Sequence, residues 1–379
     1  MRKTKLLFLF CSLFVAGAVM AEETTDKVVI SELELVPGGD QAYFTVSLEG
    51  SQLYSAYDIC LVIPEGLEVV YKNETPYVQM IKGTSGIYPS VTEEDPFEGT
   101  STTTYTHTLY SNIIDGNVLR VMCQSGKSES LNATSGRLFG VFVKATPYAK
   151  PGTFEIAIKN VYLTTSAAVQ YEPADYVSTS IKASTTSTLT LKVSGDYKFG
   201  TCILPFDYTL PADGSLEAYT SSSATDDALL LTKADKIEAY TPYILYSEAG
   251  FSQTISGTVN PDNYPAEGIV KQGCLVGAVV NKQLAEATSY VLQNQAAGTM
   301  FYQVDPQLPF SLPAGKCYVQ LPEGTAASAL RIGGTTGIAP TQNSTSNSQF
   351  SIFNLLGHPV KAMQPGHIYI VNGRKVVVK

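Results

Sequence analysis

Tryptophan is absent from this chain of 379 residues, histidine occurs three times, and lysine plus arginine (25) fall short of aspartate plus glutamate (34). Each shortage excludes something. Without clustered bases there is little general acid–base chemistry to assemble, and His107, His358 and His367 are scattered. No G-x-S-x-G, H-E-x-x-H or P-loop spacing compensates. An acidic surface without basic patches argues against nucleic acid and against charge-driven attachment to anionic lipid. Of six cysteines, Cys11 lies in the leader, and Cys60, Cys123, Cys202, Cys274 and Cys317 form no CxxC pair. That rules out a zinc-finger pattern and a dense disulfide framework. It leaves a bridge such as Cys202–Cys274 or Cys274–Cys317, or buried free thiols in strands. Beyond the leader no apolar run reaches membrane length; the longest, Cys274 to Val280, is strand-sized.

What is present begins with Arg2, Lys3 and Lys5 ahead of an apolar stretch from Leu6 to Val19 that closes on Val19-Met20-Ala21. This is the pattern of a cleaved secretory signal at residues 1–21, implying a secreted or cell-surface protein with no transmembrane segment after cleavage. Losing three basic residues with the leader takes the net charge from −9 to −12.

The remaining chain alternates apolar and polar residues with period two, punctuated by Gly, Pro, Asn and Asp, which specifies short antiparallel strands. Phe44, Val46 and Leu48 form one strand face, and Ile59, Leu61 and Ile63 another before the turn at Pro64-Glu65-Gly66. Phe154, Ile156 and Ile158 repeat the pattern, whereas Leu138 to Val143 is apolar throughout and reads as buried on both faces. Only Asn281 to Ala287 has a helical flavour. At the end, Ile368-Tyr369-Ile370-Val371 and Arg374-Lys375-Val376-Val377-Val378 flank Asn372-Gly373, the dipeptide best suited to a type I′ hairpin.

Three family resemblances overlay this pattern. The ending, with Asn354, Leu355, Gly357, Val360, Ile368, Tyr369, Asn372, Gly373 and Lys375 in place, resembles the C-terminal tail of secreted Bacteroidales surface proteins; His367 and Arg374 depart from it. Longer tails of that kind are sorting domains for type IX secretion, so the resemblance implies a sorting or anchoring role and outer-surface attachment. Tyr57-Asp58-Ile59, Pro64-Glu65-Gly66-Leu67, Gly116 to Val121, Gly136 to Ala145 and Pro151-Gly152-Thr-Phe154 follow one another in an order similar to cohesins. That resemblance implies a jelly-roll sandwich shared with one class of carbohydrate-binding modules, and a dockerin-like protein partner. Leu204-Pro205-Phe206 through Leu308-Pro309-Phe310-Ser-Leu312-Pro313 resembles a second domain of the same class of surface proteins, to which no activity attaches. The expected organisation is all-β: a leader (1–21), a cohesin-like jelly-roll β-sandwich (26–183), a second β-rich domain (189–332) and a short C-terminal β-hairpin tail within 340–379.

The expected function is non-catalytic binding, of a glycan or a dockerin-like protein, linked to polysaccharide handling. Tyr71, Tyr77, Tyr88, Tyr105 and Tyr110 fall in one long insertion and are the candidate sugar-stacking rings, among 23 tyrosines in all. Tyrosines covering sheet edges explain the same residues more plainly. A structural or adhesive surface component is the alternative. A glycoside hydrolase is the third reading, retained because a pair of acids has no sequence signature. No cofactor is implied. Structural calcium has candidates in Asp262-Asn263 and Glu93-Glu94-Asp95, neither with EF-hand or dockerin spacing.

Overall fold

The computed structural model describes residues 22–94, 100–177, 180–225, 227–324 and 327–334, with short tail strands at 352–354, 368–371 and 374–377. Among these, regular structure is β-strand apart from two three-residue 3-10 turns. The leader and most of the tail motif, including Leu355, Gly357, Asn372 and Gly373, lie outside the described residues.

Ten strands build the main sheet of the first body: β1 (Glu22–Ile30), β2 (Ala42–Glu49), β3 (Ala56–Val62), β4 (Leu67–Val69), β5 (Val78–Met80), β6 (His107–Ile114), β7 (Val118–Ser125), β8 (Ser135–Ala145), β9 (Ala157–Thr164) and β10 (Gln170–Val177). Hydrogen bonding links them in the order β6-β7-β3-β9-β10-β1-β2-β8-β4, with β5 also on β8. The β1–β10 pairing is parallel, and β1 pairs antiparallel with β2 on its other edge. Alternation then decides what goes inside. Phe44, Val46 and Leu48 of β2, and Ile59 and Leu61 of β3, are at most 1% exposed and share one core with Leu119 and Val121 of β7. Each such aliphatic or aromatic side chain contributes about 1.5–3 kcal/mol on burial. Tyr57 of β3 stacks on Phe139 of β8 with ring centroids 5.8 Å apart, so the ladder is folded into two facing layers. Ser111 Oγ donates to the Pro76 carbonyl at 3.0 Å and ties the outer edge of β6 to the segment before β5.

The all-apolar run at 138–143 is β8, which takes three strand partners and a bulge between Arg137 and Phe139. Leu138, Phe139, Val141 and Val143 have no exposed surface, while Phe142 stays half-buried on the outside.

The described residues between Thr186 and Gly334 build the second body, in which a ten-stranded ladder encloses cores around Leu204, Phe206 and Leu245 and around Tyr290, Phe301 and Val319. The segment with helical flavour, Asn281 to Ala287, is instead a strand, Lys282–Leu284, paired with Phe310–Leu312. Packing of Leu284 against its cluster overrides a weak local preference. The two echoing proline motifs sit differently: Leu204 and Phe206 are core residues, whereas Leu308 is 74% exposed. In the tail, Ile368–Val371 pairs antiparallel with Arg374–Val377 in the register of a two-residue hairpin, and Ile352–Asn354 adds a third strand.

The two bodies meet through backbone and side chain. Thr188 N–H donates to the Pro37 carbonyl at 2.8 Å, Ser187 Oγ to the Pro147 carbonyl at 2.6 Å, and Tyr264 OH to the Tyr148 carbonyl at 3.2 Å. Tyr148, carried by the first body, packs its ring against the core of the second.

Candidate functional site

The five tyrosines singled out from sequence do not gather. Tyr71 is 56% exposed at the mouth of a cleft of the first body that Asn281 of the second also lines. Tyr77 is half-buried, its ring parallel to Phe142 at 4.0 Å with Lys72 Nζ 4.9 Å away over the ring. Tyr105 is half-buried, its hydroxyl accepting from Gly83 N–H at 2.9 Å. Tyr110 is 50% exposed, on a strand of the other layer. Tyr88 corrects the expectation outright: it is 4% exposed, inside the core. Its hydroxyl accepts from Tyr57 at 2.5 Å and donates to the Leu138 carbonyl at 2.9 Å, so a core position is satisfied in full. Burial pushes both phenols well above their ordinary range, and they stay neutral.

His107 opens β6 and is 5% exposed, edge-on to Tyr88 at 5.7 Å. Burial lowers its pKa from 6.5, against a weaker upward pull from the backbone at Ser55 and from Glu129. A depressed histidine favours the neutral fold, and the unfolded chain takes up the proton first, so stability must fall as pH drops through about 6.5. Urea midpoints between pH 7.5 and 5 should decline, and His107→Gln should flatten that part of the decline; identical slopes in the two proteins would refute the assignment.

Carboxylate chemistry of the kind a hydrolase needs calls for an acid held up in pKa. The carboxyls that shift go the other way. Asp213 is lowered by hydrogen bonds from Ser215, Glu248 by Lys198 and Tyr246, and in Glu217 bonds from Lys233 and Tyr219 outweigh burial. Among the described residues no three His, Cys, Asp or Glu side chains gather to hold a metal ion. Asp262 lies in a 3-10 turn whose backbone N–H is capped by Asn260 at 3.1 Å, and Glu93 and Glu94 are exposed strand residues; Asp95 is outside the described residues. Cys60, Cys123, Cys202, Cys274 and Cys317 are free and buried. Burial raises the Cys123 thiol to about 11 and Cys202 to about 12, values at which a thiolate nucleophile is not available.

The best-organised surface is the outer face of β6-β7-β3-β9. Registers align its side chains in rows running across four strands. One row is Tyr110, Met122, Asp58, Tyr162; the next is Asn112, Arg120, Cys60, Asn160. Arg120 grips Asp58 through Nε at 3.0 and 3.1 Å and through a terminal nitrogen at 2.5 Å. The pair is only partly exposed, 39% and 24%, which fixes two opposite charges in the middle of the face. Tyr110 and the half-buried Met122 and Tyr162 surround it. The sequence places Asp58, and Arg120 within the stretch Gly116 to Val121, only among the segments that carry the cohesin-like resemblance. The available signal was a charged residue facing outward on each of two strands whose inward faces are apolar.

No protein-family model matches the chain, and no curated protein matches it in sequence. Among solved structures it is similar to a non-cellulosomal cohesin from the hyperthermophilic archaeon Archaeoglobus fulgidus, at 14% identity over 42% of this chain and 91% of that one, with a TM-score of 0.30. A chain of a type I cohesin–dockerin complex from Clostridium thermocellum gives 15% identity, 42% and 99% coverage and a TM-score of 0.31. The type II cohesin dyad of an Acetivibrio cellulolyticus adaptor scaffoldin gives 11%, 76% and 95%, and 0.28. No residue role is carried over from them. Among the described residues no helix is long and apolar enough to cross a membrane.

Proposed function

We propose that this is an exported, non-catalytic recognition protein whose first body binds a protein partner of the dockerin-like kind on the outer face of β6-β7-β3-β9. The observation that carries it is the register-aligned face itself: Tyr110, Met122 and Tyr162 arranged around the fixed Arg120–Asp58 pair. Aromatic residues, Met and Arg are the types that dominate protein-binding surfaces. Four neighbouring strands hold them rigid, so little ordering entropy opposes association. The leader and the tail resemblance support export and attachment or sorting at the outer surface. The glycan half of the sequence-based expectation does not belong to this face, where Tyr110 is the one ring of the original five.

Immobilised full-length mature protein, tested against a panel of purified dockerin modules, should bind at least one. Met122→Asp, a charge placed among apolar contacts, should weaken that binding at least 10-fold, equivalent to about 1.4 kcal/mol, while Tyr197→Ala, an exposed ring elsewhere, should not. Failure of the whole panel, or equal binding by Met122→Asp, would sink the reading.

A further inference from the structure

The opposite layer carries a second surface. On the outer side of β2, β8 and the strands beyond it, side chains again line up in rows. Thr45 faces Gly140, which faces Gln79. Tyr43 faces Phe142, whose N–H donates to the Tyr77 carbonyl at 3.0 Å. Lys144 faces Glu68, and Gln41, just before β2, lines the same cleft as that pair. From Thr45 to Gln41 this track spans about 13 Å of extended chain.

Its middle is aromatic. Phe142 and Tyr77 are stacked on each other, whereas Tyr43 is tilted 38° from Phe142 at 5.2 Å and remains 51% exposed. Gly140 explains the tilt: a Cβ there would stand 3.0 Å and 3.6 Å from two Tyr43 ring carbons, so the missing side chain is the seat on which the ring leans. The far end runs into a cleft of the first body, about 790 Å³, lined by Gln41, Glu68, Tyr71, Asn117 and Lys144, with Asn281 of the second body at its rim. Asn117 and Asn281 are held in place by bonds to the Ile63 carbonyl and from Ala314 N–H, at 3.2 and 3.0 Å.

We propose that this track, from the Tyr43 ring into the Tyr71 cleft, binds a neutral polysaccharide chain. Half-open tyrosine rings offer apolar faces to the C–H faces of pyranose rings. Amide side chains donate and accept at once, as sugar hydroxyls do. Lys144 and Glu68 pair at 3.2 Å, and Lys72 over the Tyr77 ring balances Glu65 in the cleft, leaving no net charge to select an anionic or cationic polymer. A cleft of this size falls in the range in which ligand pockets bury most of their ligand's surface. The inference is independent of the partner face, which lies on the other layer.

Affinity gel electrophoresis of the full-length mature protein in soluble β-glucan, α-glucan, xylan, mannan and polygalacturonate tests it. At least one neutral polymer should retard the protein, Tyr43→Ala and Tyr71→Ala should each weaken retardation at least 10-fold, and Tyr197→Ala should leave it unchanged. Both rings are half exposed, and near-ultraviolet circular dichroism with an unchanged melting curve certifies the fold of each variant. No retardation in any neutral polymer, retardation by polygalacturonate alone, or full retention in both variants overturns the proposal. So does loss of dockerin-module binding, rather than of glycan binding, on Tyr43→Ala. Dockerin capture is measured separately, so loss of either reading leaves the other standing.

Discussion

Gly38→Ala should lower the melting temperature by roughly 10 °C, from a loss of about 3 kcal/mol. Gly38 has φ +72°, a left-handed conformation that costs a side-chain-bearing residue about 1–2 kcal/mol by itself. A Cβ there would also fall on the carbonyl oxygen of Thr188, and within 3.1 Å of Pro147 Cγ. Thr188 is no movable side chain. It is backbone of the strand Thr186–Val193 that pairs with Phe251–Thr258 in the second body, and its own N–H is already committed to Pro37. Gly38 N–H in turn donates to the Ala145 carbonyl at 2.9 Å, so the turn cannot retreat without breaking the end of β8. Overpacking against fixed backbone adds about 1–3 kcal/mol. Tyrosine fluorescence during thermal unfolding reads the effect in this tryptophan-free chain, and limited proteolysis near residue 184 should accelerate alongside it. A melting curve that superimposes on the parent would mean that the turn at 37–39 does not seat against the second body.

That turn illustrates what the sequence made legible and what it did not. Period-two alternation placed Phe44, Val46, Leu48, Ile59 and Leu61 on buried faces, and the structure leaves none of them more than 1% exposed. Asn372-Gly373 foretold a hairpin, and the strands on either side pair in the matching register. Alternation is a local signal, and these features are local. The sites are not. The row Tyr110, Met122, Asp58, Tyr162 draws on four strands from separate parts of the chain, and strand order is set by long-range pairing that no spacing records. Tyr43, beside Phe44 in β2, faces outward, and nothing local in the sequence says that Gly140 lies beneath its ring.

Tyr88 is the sharpest case, and Tyr88→Ala should cost about 3–5 kcal/mol, the usual loss for truncating a fully buried aromatic. Three separate contacts make it larger than a cavity alone. Tyr57 loses the acceptor at 2.5 Å, the Leu138 carbonyl loses one of its two donors, at 2.9 Å, and His107 loses the ring against which it packs. Tyr88→Phe separates these effects: it keeps the ring and removes the hydroxyl, costing the buried Tyr57 phenol its Tyr88 partner and leaving the Leu138 carbonyl with the Ile81 N–H alone, for about 1–3 kcal/mol. Urea denaturation of both variants should therefore order them parent, Phe, Ala. A Tyr88→Ala protein as stable as the parent would place this ring outside the core. The ordering also governs how any loss of glycan binding in a Tyr88 variant is read. If Tyr88→Ala loses retardation while Tyr88→Phe keeps it, the ring acts by holding β8 beneath Tyr43 and Phe142, since its side chain faces the core and the polysaccharide track lies on the other side of that strand.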